Sequence, residues 1–192
     1  MKLKSDKSGF LQRKLKRTTQ IILPKDAALI FAYTDIPQNS LVVDAGTGTG
    51  YMAVFLAYYL PNGRVVTYEK DKRFWKNAQE NFARVGLKNI KLKKKEFRKV
   101  FEKNVDLVTL DFEDSPKFIS KAHSILKKDG WLVVYSPTAD SLIKVRKEIE
   151  KKKFIQVKTV ESIVRDWQYT KTVRPKSVGL MHTGFLTFAR KI

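Results

Sequence analysis

The run Leu41-Val42-Val43-Asp44-Ala45 is short and apolar, and it is followed by Gly46-Thr47-Gly48-Thr49-Gly50, with a glycine at every second position. No other stretch limits the fold so tightly. It reads as a strand, a tight loop and, from Tyr51, the start of a helix. Glycines let a backbone pass where a Cβ would clash, which suits a loop that touches a ligand. The dinucleotide fingerprint spaces its glycines G-x-G-x-x-G to seat a pyrophosphate on the helix N-terminus. Here the spacing is G-x-G-x-G, with an acid two residues ahead of the first glycine. A glycine-rich turn can also close any βα unit, so a second element is needed. Arg64-Val65-Val66-Thr67-Tyr68-Glu69 supplies it, as a second strand ending in an acid 19 residues after Gly50. A carboxylate there can accept both ribose hydroxyls of a nucleoside cofactor.

The rest of the chain alternates in the same way. Pro24 opens a helix over 25–33, as proline does at a first helical position. Strands are expected at 40–45, 64–69, 89–93, 105–110 and 131–135. Helices are expected at 51–60, 71–85, 116–127 and 139–152. The helix 71–85 carries Phe74, Ala78, Phe82 and Val85 on one face, and Gly86 closes it. Two longer β segments, 154–165 and 178–190, end the chain. Five β/α alternations followed by a β pair predict an α/β protein with a mostly parallel sheet and one late antiparallel strand. Residues 1–19 read as a basic arm, and 20–192 as one domain.

Charge adds a partner class. The 192 residues hold 39 Lys and Arg against 19 Asp and Glu, a net charge of +20. Such an excess favours a polyanion through counterion release, although lysines also solubilise a surface. The lysine runs at 93–95, 127–128 and 151–153 fit either role. The absence of cysteine removes disulfides and thiolate zinc sites, and two histidines make a metal centre a poor expectation. No apolar run has the length of a membrane span and no signal peptide is visible, so the expected location is cytoplasmic.

Leu110-Asp111-Phe112-Glu113-Asp114-Ser115-Pro116 places an acid just past the fourth strand. Ligands of open α/β sheets bind outside the carboxyl ends of the strands, which puts Asp111 beside the loop of strand one. Asp111 could instead cap the following helix, but Asp114 or Ser115 is better placed for that. The D/N-P-P-Y/F pattern of enzymes that methylate exocyclic amines of bases is replaced here by Asp-Phe-Glu-Asp. A carboxylate without those prolines suits different chemistry, in which it accepts a hydrogen bond from an adenine amino group while ring N1 attacks a methyl group.

The glycine loop with its preceding acid resembles that of class I methyltransferases that bind S-adenosylmethionine. Two further segments sharpen this. Arg174-Pro175-Lys176, with His182-Thr183-Gly184-Phe185-Leu186, is similar to the R-P-x…H-T-G-F/Y-L ending of the tRNA (adenine-N1)-methyltransferase family, which modifies adenosine 58 of the T-loop. Gln20-Ile21-Ile22-Leu23-Pro24-Lys25-Asp26 resembles that family's Q-x-x-x-P-K-D segment. The resemblance covers residues 18–192, and the family carries an additional N-terminal β domain ahead of this portion.

What the resemblance implies is specific. The fold would be the class I Rossmann-like one, with a seven-stranded sheet and helices on both faces. S-adenosylmethionine would be held by Gln20, Asp44, Gly46, Thr47, Gly48, Gly50, Glu69, Glu96 and Asp111. Asp111 would be catalytic, and Arg174 and His182 would meet the substrate. Tyr51 and Tyr135 would stack on bases or belong to the core. Other readings stand beside these: His182 as part of a hydrogen-bond network, Arg174 as an ion-pair partner, and Gln20 as a cap of backbone groups. The partner would be tRNA, and the assembly a homo-oligomer, a tetramer in that family, or a complex with a second subunit. The alternatives are another RNA, a protein substrate of the isoaspartyl type, or a non-catalytic RNA-binding subunit.

Overall fold

The computed structural model describes residues 15–177, 179 and 182–192. Residues 1–14 of the expected basic arm, and positions 178, 180 and 181 of the last expected strand, lie outside the described residues. In order, the elements are α1 (Pro24–Thr34), β1 (Leu41–Ala45), α2 (Tyr51–Tyr59), β2 (Arg64–Tyr68), α3 (Lys72–Val85), β3 (Ile90–Lys93) and β4 (Val105–Leu110). Then come α4 (Ile119–Ile125), β5 (Leu126–Ser136), α5 (Ala139–Glu150), β6 (Phe154–Val160), β7 (Trp167–Tyr169), β8 (Val173–Pro175) and β9 (Phe185–Lys191).

Seven strands form one sheet in the order β3-β2-β1-β4-β5-β9-β6, and β7 and β8 pair separately. Strands β1 to β5 run parallel, and β9 lies antiparallel between β5 and β6. Alternation along the strands builds two cores, because successive side chains point to opposite faces. Val42, Val65, Leu107 and Val133 join α1 and α2 in one core, with Phe82 of α3 against it. Val43, Val66, Val108 and Leu132 join α4 and α5 in the other. Helices therefore cover both faces, as expected.

Local chemistry explains most boundaries. Asp71 caps α3 by accepting from the N–H groups of Arg73 (2.7 Å) and Phe74 (3.3 Å). Thr138 and Ser141 form a capping box at α5. Helix α2 is apolar all round and buried from Tyr51 to Ala57, so it depends on packing and needs no polar cap.

Most differences from expectation lie toward the C-terminus. Helix α4 stops at Ile125, and β5 begins immediately at Leu126. Asp129 takes φ 64° inside β5, beside a register shift between Val105 and Leu107, so the Asp-Gly pair forms a bulge within the strand. The segment expected as strand 154–165 ends at Val160. A small hairpin, β7–β8, follows instead, and β9 starts only at Phe185. Residues 15–18 are also not free. Leu15 is buried in the core, and the Lys16 backbone is gripped by Asn81, which accepts from its N–H (2.8 Å) and donates to its carbonyl (3.0 Å).

Candidate functional site

Strand order reverses its direction of growth between β1 and β4, and ligands of open α/β sheets bind at that crevice. Both strands end there, in the glycine loop and in Asp111. The N–H of Asp111 donates to the Ala45 carbonyl at 3.0 Å, locking the two strand ends together. Gly46 has φ 88°, and a Cβ on it would lie 2.1 Å from the Asp111 carbonyl oxygen. Gly50 has φ 86°, and its Cβ would strike the Phe82 ring at 2.5 Å. These two glycines thus admit neighbouring parts of the protein itself.

Above this crevice lie two adjoining cavities. The larger, of about 370 Å³, is walled by Gly46, Gly48, Tyr68, Glu69, Phe74, Glu96, Phe97, Asp111, Phe112 and Phe118, among others. The smaller, of about 220 Å³, is walled by Thr19, Gln20, Gly46, Thr47, Thr49, Tyr51, Asp111, Tyr135 and Pro137, among others. Asp111 lines both. Although basic residues outnumber acids by two to one in the chain, the larger cavity presents Glu69, Asp71, Glu96, Asp111, Glu113 and Asp114 against only Lys70 and Lys95. A chamber of this sign suits a cationic ligand.

The residues predicted from sequence fall into three groups. Glu69 is at the end of β2 as expected, and its carboxylate accepts from the N–H of Gly48 (3.0 Å) and of Asp71 (2.9 Å). That leaves acceptor capacity on both oxygens. Glu96 lies on the cavity wall, at 3.9 Å from the Arg98 guanidinium. Gln20 is exposed on the rim of the smaller cavity. Asp111 accepts no hydrogen bond from the described residues. Burial raises its pKa to about 7, and the Asp44 carboxylate adds to the rise.

Asp44 is different. It lies beneath the loop, 1% exposed, and neither cavity reaches it. Its Oδ2 accepts from Thr67 (2.6 Å) and its Oδ1 from Thr109 (2.7 Å), the residues directly opposite it on β2 and β4. Thr67 is also within 2.6 Å of the Thr47 hydroxyl. Asp44 therefore ties three strands and the loop into one rung. Burial raises its pKa, and the two threonine donors oppose the rise. Thr67 and Thr109 escaped the sequence reading; polar β-branched residues one position before a strand end were the available signal.

Arg174 and His182 line neither cavity. Arg174 is exposed on β8 and donates to the Ser177 hydroxyl at 2.7 Å. His182 contacts the Glu161 carboxylate through Nδ1 (2.5 Å) and the Pro137 carbonyl through Nε2 (3.0 Å). Both partners are acceptors, so the doubly protonated ring satisfies both, and Glu161 raises its pKa accordingly.

Sequence reading also missed what the P-K-D and H-T-G segments do. They meet. Lys25 Nζ donates to Asp26 (2.7 Å), to Thr183 (2.8 Å) and to the Ser162 carbonyl (2.5 Å), and Thr183 donates to the other Asp26 oxygen (2.9 Å). Tyr135, on the wall of the smaller cavity, donates to the Thr183 carbonyl. Burial, with Asp111 and Asp26 nearby, pushes its pKa up to about 12, so it remains a neutral donor. Asp26 is 1% exposed. Asp26→Ala strands the Lys25 ammonium and the Thr183 hydroxyl, and should cost about 2–4 kcal/mol in urea unfolding. A loss below 0.5 kcal/mol, on the order of a surface substitution, would show that the node carries little of the fold's stability.

This sheet order, with a glycine loop at its switch point beneath a carboxylate-lined cavity, defines a class I S-adenosylmethionine-dependent methyltransferase fold. Residues 10–177 match the family described as tRNA methyltransferase complex GCD14 subunit. The chain belongs to that family. It is 31% identical to the tRNA (adenine(57)-N(1)/adenine(58)-N(1))-methyltransferase TrmI of Methanocaldococcus jannaschii, over 93% of this chain and 74% of that one. Among solved structures, the tRNA (m1A58) methyltransferase TrmI of Aquifex aeolicus superposes with TM-score 0.88 at 28% identity, covering 96% of this chain and 76% of that one. A structure described as a SAM-dependent O-methyltransferase from Thermotoga maritima gives 0.86 at 31% identity, covering 91% and 67%. Among the described residues, no helix is long and apolar enough to cross a membrane, and no cluster of metal-ligating side chains occurs.

Proposed function

We propose that this chain transfers a methyl group from S-adenosylmethionine to N1 of an adenosine in tRNA, at T-loop position 58. The observation that carries the reading is Asp111: a carboxylate without a hydrogen-bond donor among the described residues, shared by two adjoining cavities of unequal size. The cofactor suits the larger cavity, where Glu69 would take the ribose hydroxyls and Glu96 the adenine amino group. Thr49, whose buried hydroxyl has no partner among the described residues, and Gln20 border the smaller one. Bound in the larger cavity, S-adenosylmethionine would supply an electrophilic methyl group on a sulfonium centre.

Asp111 has two roles in this reading. Its carboxylate accepts from the exocyclic amine of the target adenine, which holds N1 in line with the methyl group. It also stabilises the positive charge that grows on the ring as N1 is alkylated, an interaction stronger in the transition state than in the ground state. The nucleophile is a ring lone pair, so no strong base is required. Asp44 would act from below, by fixing the loop on which the cofactor rests. The family description also points to assembly with further copies or a partner subunit, and the cysteine-free chain suits the cytoplasm.

Only the carboxylate form of Asp111 can do this. As its pKa stands near 7, kcat/KM for S-adenosylmethionine, which reports the free enzyme, should fall about tenfold per pH unit below that value and level off above it. The limb in kcat should lie at lower pH, because a bound sulfonium favours the charged acid. A kcat/KM for S-adenosylmethionine independent of pH between 5.5 and 8 would remove Asp111 from the reaction.

The decisive assay is methyl transfer to an unmodified tRNA transcript with adenosine 58 intact or replaced. Incorporation that requires this adenosine establishes the reading. Incorporation into both transcripts moves the site to another nucleotide, and none, with the cofactor bound, points to a protein or to an inactive subunit.

A further inference from the structure

The segment from Lys94 to Phe101 supplies one wall of the larger cavity, and its own charges work against a compact shape. It lies between β3 and β4 and holds a single 3-10 turn, Phe97–Lys99. Within it Lys94, Lys95, Arg98 and Lys99 stand against one acid, Glu96. Its crest is nevertheless packed. Phe97 is 3% exposed, and its ring meets those of Tyr68 and Phe118 edge-on, with centroids 6.3 and 5.9 Å away. Glu96 and Phe97 both line the cavity. The contacts that shut the segment lie at its two ends. Lys93, the last residue of β3, donates from Nζ to Glu102 Oε1 at 2.6 Å, nine positions on. The two side chains are only 14% and 11% exposed. Tyr68, the register partner of Lys93 on β2, joins them: its hydroxyl donates to Glu102 Oε2 and accepts from Lys93 at 3.2 Å. The Lys93 ammonium also lies 4.3 Å from the centroid of the Phe101 ring. The reaction as read above uses neither Lys93 nor Glu102.

We propose that the Lys93–Glu102 pair is a latch that positions the adenine end of the cofactor site, and that through it the chain prefers adenine to other purines. A short loop whose ends are pinned and whose own side chains fill it carries its crest as one unit. Lys93 serves both sides of the site. Its side chain holds Glu102, and its carbonyl accepts from the N–H of Glu69 at 3.0 Å. With the neck shut, Glu96 therefore stands at a fixed distance from Glu69. That matters for a carboxylate that must recognise one amino group, because a hydrogen bond weakens steeply away from its distance and angle. With the neck open, repulsion among the four cations would favour a splayed segment. The pair is mostly out of water, so salt screens it little. This role rests on the reading of Glu96 as the partner of the adenine amino group, and adds the residues that hold Glu96 in place.

The test is Glu102→Gln, Lys93→Met and the double variant, each in the full chain. The ligands are S-adenosylhomocysteine and the same molecule with unsubstituted purine in place of adenine, and the reading is affinity by calorimetry. Wild type should prefer adenine by about tenfold or more, the worth of a hydrogen bond to a charged group, and either single variant should bind the two ligands within about twofold of each other. Affinity for the purine ligand should hold, as should tRNA binding and kcat at saturation, while KM for S-adenosylmethionine rises. The double variant should lose no more than either single one, as partners in one contact do. It also buries no lone charge, so it should fold even where a single variant does not, and its adenine preference then decides the same question. An adenine preference that survives in the variants overturns the proposal, even where their melting temperatures fall, because the pair would then serve stability alone. So do losses that add in the double variant, and so does a wild type that binds both ligands alike. A wild-type chain that prefers adenine but forms no 1-methyladenosine would fail the reaction assigned above and leave the latch standing. Normal methylation with an undiminished preference in the variants would fail the latch alone.

Discussion

Asp111→Asn should reduce methyl transfer by about a thousandfold, the scale of losing one preorganised electrostatic contact to a developing charge, while S-adenosylmethionine still binds within a few-fold of wild type. The variant keeps the side chain's shape and its place against Ala45, where the backbone bond of 3.0 Å is unaffected. It removes the charge and exchanges one acceptor oxygen for an amide donor. If burial rather than function explains the perturbed carboxyl, turnover will survive the change, and that result would end the catalytic assignment. A stability measurement gives an independent reading. The folded chain holds the Asp111 proton up to about pH 7, whereas an unfolded Asp releases it near 3.9. Between those values the folded state binds more protons, so wild-type stability falls as pH rises. Asp111→Asn escapes this loss. Its Tm should match wild type near pH 4, exceed it by an amount that grows to pH 7, and hold a constant lead above that.

Gly46→Ala is expected to damage fold and site together. At φ 88° an L-residue is strained, and its Cβ would lie 2.1 Å from the Asp111 carbonyl oxygen and 2.8 Å from the carbon. Neither atom can rotate away, because both belong to a backbone held by β1. Overpacking and strain together should cost about 3–5 kcal/mol. Relief would require Asp111 to move, so cofactor binding and turnover should fall as well. Gly48→Ala is the control: at φ 52° its Cβ would lie 3.2 Å from the Thr19 methyl and at an ordinary 3.8 Å from the Gly46 carbonyl oxygen, and it should cost about 1 kcal/mol, the usual penalty of a left-handed residue. Equal melting temperatures for the two variants would mean that the close approach at Gly46 carries no energy.

What the sequence determined by itself is the local grammar and the order of parts. Alternation of short apolar runs with helical segments, Pro24 at a helix start and Gly86 at a helix end all act over one or two turns, so they are legible without a fold. The carboxyl-end rule then placed Glu69 and Asp111 near the glycine loop, because parallel strands end on the same side. Tertiary structure decided which acid faces a cavity. Asp44 and Asp111 both stand at strand ends, yet Asp44 turns inward to Thr67 and Thr109. Only the register of three strands, 23 and 65 positions apart, brings those hydroxyls to it. The union of Lys25 and Asp26 with Thr183 spans a still greater separation, 157 or 158 positions, and no periodicity reports such a pairing. The β7–β8 hairpin was hidden for the opposite reason. Three residues per strand are too few to show alternation against a background of loop, so it emerged only when the chain was folded.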